Sequence, residues 1–421
     1  MSSIRIYITL LFFVSVITKG IAQDTINSTT VDQKSYQLYL DNNWTALIKY
    51  GNAAVSKGID YFYLQMRIGI AYYEKKNYSL AEGHFKSALK FNSDNDLAQE
   101  YLYYCYIYNG RYEDARRLSK SFSKELSAKT GTDIQSSVGF IIIEAGSKKT
   151  DSISYYDVHR KTSSNYYKSP VYFQFGLNHY IKNRVSIFHA FTYFNQQTFL
   201  SHVSQIQYYF KTAIPIKNNW LISPSIHWIN IKNTVDNKRH PSPPGQMGGA
   251  PQNNTTFTKS NYFVSSLTIQ KIIKKYTIAL GTTISNMNNI TQYIHSGFIS
   301  YAPLGNSKIV LGCTGYVHTI DNYSTTNIAA SPFIYLQPVN RLSLKLSYLV
   351  NTKNNIIEDN GYIVNNSPDL TKSRLSALLN ISLSKRVSLY GLYQLEYKYE
   401  GMQLFNYRYN VFVAGIKIIP K

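Results

Sequence analysis

Two different spacings of hydrophobic residues divide the chain into a helical part and a strand part. Residues from about 35 to 128 carry small and aromatic side chains at helical spacing, and from about Thr132 apolar and polar positions alternate. In "NRLSLKLSYLVN", the leucines from Leu342 to Leu346 share one strand face with Tyr348. About 14 such segments of roughly 10–14 residues follow, longer than typical soluble strands and sufficient to cross a tilted bilayer.

The connections between these segments predict a barrel. Short polar turns largely alternate with longer polar connections, as in barrels with tight turns at one end and long loops at the other. The turns lie near 181–184, 217–219, 273–275, 304–307, 338–340 and 384–386, and the longer connections at 150–169, 232–258, 351–369 and 399–404. An even strand number places both termini at one end and the Pro/Gly-rich 236–257 at the other. A large soluble β-sandwich is the alternative.

The helical part has the period of a tetratricopeptide repeat. "KKNYSLA" is echoed 34 residues later by "NGRYEDA", and a weaker half-match lies 34 residues earlier, so about two and a half repeats are visible. The pattern predicts these packing residues: Gly69, Tyr72, Tyr78, Ala81, Phe85, Ala88, Tyr106, Tyr112 and Ala115. Such arrays bind protein segments in a groove, which Arg67, Lys86 and Lys90 are predicted to face.

The N-terminus predicts a secreted protein. Arg5 precedes an apolar run from Ile6 to Ile17, and Gly20 and Ala22 are small residues suited to cleavage. The predicted organisation is an α + β multidomain chain: a signal peptide (1–22), a periplasmic helical domain (23–131) and an antiparallel transmembrane β-barrel of about 14 strands, with 12–16 allowed (132–421). Two widely separated cysteines exclude a disulfide framework.

Charge is concentrated in the strand part. The net charge is +21, of which residues 1–130 contribute +4 and the remainder +17. This excess favours anionic partners, although a lysine-rich genome gives the same bias. Four charges are predicted to line the lumen, with a position at the rim as the alternative for the two arginines: Lys345, Arg374, Glu396 and Arg408. Trp220, Trp228 and Tyr348 are predicted to lie at the membrane interfaces.

A signal peptide, a few repeats and a C-terminal barrel resemble the YaiO-like outer-membrane barrel family. The residues that carry the resemblance are Gly69, Tyr72, Ala81, Phe85 and Ala88, and the barrel half matches only in pattern. The layout is also similar to the repeat-plus-barrel exporters of exopolysaccharide. The first resemblance implies an outer-membrane location. The second implies a periplasmic scaffold that recruits other proteins and a barrel that passes a polymer.

The sequence favours passage over catalysis. It contains none of the HExxH, GxSxG or P-loop spacings, and no spacing in the sequence assigns a catalytic partner to His179 or His318. We therefore expect no enzyme activity, cofactor, metal or nucleic acid. The expected partners are outer-membrane lipid and lipopolysaccharide, the barrel assembly machinery, a periplasmic protein at the repeats and an anionic or polysaccharide solute. The alternative function is a non-transporting anchor that recruits periplasmic proteins.

Overall fold

A computed structural model describes most of the chain outside its N-terminus and long loops. The described ranges are 27–132, 137–150, 154–156, 163–165, 170–182, 185–197, 201–236, 255–320, 325–350, 357–364, 370–400 and 405–420. The predicted signal peptide and most of the 236–257 connection lie outside these ranges, so both stay predictions.

Seven α-helices form an array within residues 27–132. They are α1 (Ser28–Leu40), α2 (Trp44–Ser56), α3 (Phe62–Glu74), α4 (Tyr78–Phe91), α5 (Asp96–Tyr108), α6 (Tyr112–Leu118) and α7 (Lys124–Thr130). Helices α1, α3 and α5 begin 34 residues apart, as do α2, α4 and α6, so three helix pairs are present where the sequence indicated two and a half. No helix in the described ranges has the length and hydropathy needed to cross a bilayer.

Close helix packing explains the small residues of the repeat. A Cβ added to Gly69 would lie 2.7 Å from the ring of Phe85, so only glycine allows α3 and α4 to approach this closely. Ala81, Phe85, Ala88, Tyr106 and Ala115 are buried in one core cluster, against which Tyr72 and Tyr78 pack.

The packing role predicted for Tyr112 is wrong. Its side chain is 57% exposed, whereas its counterpart one period earlier, Tyr78, packs on Tyr108 of the following repeat at 4.7 Å between ring centroids. Tyr112 stands in the last helix pair, and no further repeat follows to cover it.

Fourteen strands close into an antiparallel barrel. They are β1 (Val138–Thr150), β4 (Val171–Ile181), β5 (Val185–Gln197), β6 (Ser201–Ile216), β7 (Trp220–Asp236), β8 (Thr255–Ile273), β9 (Tyr276–Ser285), β10 (Gln292–Tyr301), β11 (Ile309–Ile320), β12 (Thr325–Val339), β13 (Leu342–Val350), β16 (Leu370–Ser382), β17 (Val387–Glu400) and β18 (Phe405–Ile418). Neighbours along the chain pair in order, and β1 closes on β18. The predicted fold class and strand number are confirmed. Two hairpins lie outside the ring: β2–β3 (Ser154–Tyr156, Ser163–Asn165) and β14–β15 (Ile357–Glu358, Ile363–Val364).

The barrel exposes its apolar residues and buries its polar ones. Exposed apolar side chains alternate along the strands with buried polar ones, the reverse of a soluble protein. The exposed set includes Phe173, Phe191, Phe263, Leu280, Ile328, Leu346 and Phe412, and the buried set includes Gln174, Thr192, Ser225, Thr283 and Ser376. Trp220 and Tyr348 are on the exposed face, as is Trp228, which pairs with exposed Phe263. This alternation is that of a membrane-spanning barrel.

Candidate functional site

The short hairpin β14–β15 lies inside the barrel. It belongs to the connection between β13 and β16, at the barrel end away from the helical array, which we call the distal end; the other is the proximal end. Asp359, Asn360 and Gly361 at its tip all have positive φ, at 46°, 58° and 80°. Asp, Asn and Gly tolerate this backbone region best, so the local sequence favours a tight turn here.

Side chains from several strands bind the tip of this lumen hairpin. The carbonyl oxygen of Asn360 accepts hydrogen bonds from Tyr209 at 3.2 Å and from Ser225 at 2.5 Å. His227 donates from Nδ1 to the carbonyl of Gly361 at 2.8 Å, because a carbonyl can only accept. A Cβ on Gly361 would lie 3.1 Å from Val264 in the wall, so the tip fits closely. These contacts fix the backbone of the turn to β6 and β7.

A buried ion pair anchors the base of the hairpin. Arg374 on β16 donates from Nη2 to both carboxylate oxygens of Glu358, at 2.6 and 2.8 Å. Both side chains are less than 10% exposed. The Nε of Arg374 is buried and has no hydrogen-bond partner among the residues that the structure describes. Removing either charge would leave the other desolvated and unpaired, which typically costs about 3–5 kcal/mol.

Apolar contacts complete the seat of the hairpin. Ile357 is buried in a cluster on the lumen side with residues of β7, β8 and β10 and of the turn after β9: Ile229, Tyr262, Val264, Ile294 and Met287. The ring of Tyr362 packs edge-on against Tyr209, 4.9 Å between centroids. The hairpin is therefore an ordered part of the lumen, packed on one side and ion-paired on the other.

A cavity of about 510 Å³ with a mixed polar and apolar wall lies against the hairpin, within the barrel. Its apolar lining includes Ile294, Phe298, Phe333, Leu378 and Leu392. Serine, threonine and glutamine side chains supply much of its wall: Thr268, Gln270, Thr283, Ser296, Thr314, Ser331, Ser347, Ser376 and Gln394. Lys211, Lys345 and Arg374 bring positive charge, and Glu358 and Asp359 of the hairpin bring negative charge. The ammonium group of Lys345 lies 4.8 Å from the ring centroid of Phe333. Such a wall suits a small solute with hydroxyl or charged groups.

Glu396, predicted from the sequence as a lumen charge, lies in a second charged cluster. It is buried on β17 and pairs with Lys398 at 3.4 Å. Lys398 also donates to Thr371 on β16 at 3.2 Å. Lys148 on β1 contacts the rings of Phe194 and Tyr409, at 5.5 and 5.4 Å. Three of the four predicted lumen charges, Lys345, Arg374 and Glu396, thus face the interior.

The lumen position predicted for Arg408 is wrong. Arg408 pairs across the ladder with Tyr397, which is exposed, while its neighbours Tyr407 and Tyr409 are buried. Its side chain therefore points outward from the distal part of β18. The sequence pattern misleads here because Tyr407 and Tyr409 take the lumen side of the distal part of β18, whereas Arg408 takes the outer side.

The helical array covers part of the proximal mouth. The carbonyl of Gly305, in the β10–β11 turn, accepts from the backbone N–H of Ser79 at 2.9 Å, and Asn306 donates to the carbonyl of Lys76 at 2.9 Å. On the β4–β5 side, the guanidinium of Arg116 lies 4.0 Å from the ring centroid of Tyr180. Elements far apart on the barrel rim therefore hold one face of the array.

Asn219 joins the array to the β6–β7 turn, in a group we call the clasp: Glu82, Lys86, Arg111 and Asn219. The Oδ1 of Asn219 accepts from Lys86 at 2.7 Å and from Arg111 at 3.1 Å, and its Nδ2 donates to Glu82 at 3.3 Å. The Nη1 of Arg111 donates to both carboxylate oxygens of Glu82, at 2.7 and 2.6 Å. Burial alone would raise the pKa of Glu82, but the charges of Arg111 and Lys86 lower it overall.

The groove predicted for the repeats is partly occupied by the chain itself. Lys86 belongs to the clasp, so the groove role predicted for it is wrong. Arg67 on α3 pairs with Asp32 on α1 at 2.7 Å, and its groove role stays a prediction. Lys90 is exposed, and its role stays a prediction. The repeat pattern identifies positions on a helix but not the barrel turn that covers them.

The first turn of α6 faces the barrel. Glu113 lies close enough to Lys211 and Lys417 of the barrel interior for their charges to act on its carboxylate. Burial raises the pKa of Glu113, and the two lysines act against that rise. The proximal mouth is thus closed in part by a helix end that carries a carboxylate.

Comparisons with known proteins give structural matches only. The toluene transporter TbuX of Ralstonia pickettii is similar with a TM-score of 0.46 and 7% identity, over 68% of this chain and 90% of that one. The CymD monoaromatic hydrocarbon channel is similar with a TM-score of 0.42 and 8% identity, over 70% of this chain and 92% of that one. The outer membrane protein Omp33 of Acinetobacter baumannii is similar with a TM-score of 0.36 and 8% identity, over 68% of this chain and 100% of that one. No protein-family model and no curated protein matches the chain.

Among the described residues, no group of three or more His, Cys, Asp or Glu side chains could hold a metal ion.

Proposed function

We propose that this chain is an outer-membrane barrel, closed at rest, that passes a small hydroxyl-bearing or anionic solute when the lumen hairpin moves. The observation that carries the proposal is the cavity of about 510 Å³ directly against a hairpin that is not part of the barrel wall. The hydroxyl, amide and charged groups in this mixed wall have little use in a sealed anchor, whereas they can replace water around a polar solute. The proposal assigns no catalysis to the lumen.

The topology supports one orientation. Short turns, the start of β1 and the end of β18 lie at the proximal end, and short turns mark the periplasmic end of outer-membrane barrels. In this orientation the helical array stands in the periplasm and the hairpin enters from outside. Export of a polysaccharide, the finer form of the proposal, would require both the hairpin and the array to move aside, because each narrows one end of the lumen.

Single-channel recording in planar bilayers tests the proposal. We expect the intact protein to show a low, rarely open conductance, and a variant with residues 357–364 replaced by an eight-residue Gly–Ser segment to conduct steadily. A matched control replaces residues 242–249 of the β7–β8 connection and should behave like the intact protein. A folded hairpin variant, verified by heat-modifiable gel mobility, that does not conduct would contradict the proposal.

Ion selectivity gives a second measurement in the opened barrel. Lys345→Glu replaces a positive charge on the cavity wall by a negative one. We expect the reversal potential in a KCl gradient to shift toward cation selectivity, because charges in the lumen set the local ion concentrations. The matched control is Arg408→Glu, which makes the same charge change on the outer face. Equal shifts in the two variants would show that Lys345 does not face the conducting path.

An anchoring scaffold is the second candidate function, favoured by the rigid attachment of the array to several barrel turns. We expect photocrosslinkers at exposed positions of the array, such as Tyr63 and Lys90, to capture a periplasmic protein in intact cells. A barrel lacking residues 23–131 should then lose function while conductance in bilayers is retained.

A further inference from the structure

Two phenylalanine rings lie next to each other on the wall of the cavity beside the lumen hairpin. Phe298 on β10 and Phe333 on β12 both line this cavity, and β11 runs between their strands. Their ring centroids are 5.9 Å apart, and their planes differ by only 12°. Both residues are partly exposed, so the cavity contains a two-ring aromatic surface, which we call the aromatic shelf.

A glycine on the intervening strand makes room for the aromatic shelf. Gly312 on β11 pairs with Phe333 in the ladder. A Cβ added to Gly312 would lie 2.5 Å from two atoms of the Phe333 ring, so this ring covers the position where a side chain would stand. The ring thereby extends across β11, toward Phe298. The aromatic shelf is thus built by the strand register together with a residue that has no side chain.

A cation and two leucines adjoin the aromatic shelf. The ammonium group of Lys345 lies 4.8 Å from the ring centroid of Phe333, and Lys345 is exposed on the lumen side. Lys345 pairs with Leu378 on β16, which pairs in turn with Leu392 on β17, and all three line the cavity. A charge-assisted hydrogen bond to a carboxylate is stronger than the contact of an exposed ammonium group with a ring. Lys345 can therefore exchange the ring face for an anionic group of a ligand.

This combination suits a flat ring that carries one anionic group. Aromatic rings prefer offset, near-parallel or edge-on contacts with each other. A sugar ring carries hydroxyl groups around its edge, and the two phenylalanines and two leucines would offer those groups no hydrogen bond. An uncharged ring would gain nothing from the ammonium group of Lys345. An aromatic carboxylate uses both the ring surface and the charge.

We propose that the cavity binds an aromatic carboxylate with a single ring, which stacks on the aromatic shelf while its carboxylate accepts a hydrogen bond from Lys345. Thr314 pairs with Phe298 in the ladder and lines the same cavity, so it can hydrogen-bond a hydroxyl substituent of the ring. The inference rests on the proposed function only for the role of this ligand as the solute that passes. Binding is measured without conduction, so either proposal can fail while the other holds.

Isothermal titration calorimetry of the full chain in detergent tests the aromatic shelf, with para-hydroxybenzoate as the ligand. We expect Phe298→Leu combined with Phe333→Leu to lower the affinity by about tenfold or more, because leucine stays apolar but has no ring face. A matched control makes the same change at two exposed rings of the outer face, Phe263 and Phe412, and should bind like the native chain. Heat-modifiable gel mobility verifies that each variant is folded.

A comparison of two ligands tests the role of Lys345. The second ligand, para-hydroxybenzyl alcohol, has the same ring without the charge. We expect the native chain to prefer the carboxylate by about tenfold or more, and Lys345→Met to bind the two ligands about equally, because the charge-assisted hydrogen bond is lost. A purely structural effect of the substitution would weaken both ligands by the same factor and would contradict the assigned role.

Four results would overturn the proposal. Cyclohexanecarboxylate, which carries the same charge on a ring that is not aromatic, could bind as tightly as para-hydroxybenzoate. Glucuronate could bind as tightly, which would assign the cavity to sugar acids. The variant without the two rings could bind like the native chain, or lose no more affinity than the outer-face control. The folded native chain could show no saturable binding of para-hydroxybenzoate.

Discussion

Arg374→Gln is expected to release the lumen hairpin without unfolding the barrel. The substitution leaves the buried carboxylate of Glu358 without its cation, at a typical cost of about 3–5 kcal/mol. The barrel wall can avoid this cost because the hairpin is outside the strand ladder and can move to water, where Glu358 is solvated. We therefore expect the substitution to displace the hairpin and to leave the strand pairing of β16 unchanged.

Cysteine accessibility measures this release. Ile363→Cys, in a background with Cys105 and Cys313 replaced, places a thiol on the hairpin. We expect a bulky, membrane-impermeant maleimide to label it slowly in the native background and at least tenfold faster with Arg374→Gln. Exchanging the charges, Arg374→Glu with Glu358→Arg, should restore slow labelling in part. Arg408→Gln, on the outer face, is the control; unchanged labelling in Arg374→Gln would show that the ion pair does not hold the hairpin.

Arg111→Ala is expected to destabilise the helical array and loosen it from the barrel. Arg111 donates to buried Glu82 and to Asp114 and also contacts Asn219 of the β6–β7 turn. Its loss leaves Lys86 as the remaining cation on Glu82 and removes a barrel contact. The expected loss in the free energy of unfolding of the array is about 1.5–3 kcal/mol, as for hydrogen bonds to charged groups. Arg111→Lys should recover only part of it, because one ammonium group cannot contact Glu82, Asp114 and Asn219 as the guanidinium does.

Urea unfolding followed by Trp44 fluorescence, with Trp220 and Trp228 replaced by Phe, isolates the array. The control Lys129→Ala breaks a pair in which Lys129 is mostly exposed, and should change little. A difference of less than about 1 kcal/mol between Arg111→Ala and this control would contradict the importance of the clasp.

The clasp also gives the array an acid dependence. Because folding lowers the pKa of Glu82, its contribution is fully present above the unfolded value of about 4.3 and is lost as the pH falls through the folded value. Arg111→Ala should remove this part of the pH dependence.

The periodicity of the sequence predicted the architecture because the helices share one spacing of packing residues and the strands share another. Helix packing sites recur every 34 residues, and strand faces alternate every two, so most of the repeat helices and the 14 strands follow from local pattern. The short helix α7 lies outside the repeat and was not predicted. The same rule failed for Arg408, since polar residues near the distal rim occur on both faces and no longer mark the lumen.

The site itself was only half predictable. Arg374 and Lys345 could be placed in the lumen from their strands, but Glu358 lies in the connection 351–369, which has no alternation and was interpreted as an external loop. Its "EDNG" stretch signals a tight turn and says nothing about which way the turn folds. The clasp could not be predicted either, because the sequence around Asn219 indicates only a turn and its partners are more than 100 positions away in the chain.

The attachment of the array has a consequence for the order in which the molecule is built. Its docking points come from turns at Lys182, Asn219 and Gly305, which are far apart in the chain and become neighbours on one rim only as the barrel forms. The array is synthesised first, yet its seat is among the last surfaces to exist. Docking of the helical array would therefore show that the barrel has closed. In a clasp variant, we expect the strands to insert and the barrel to close while the array fails to cover the proximal mouth.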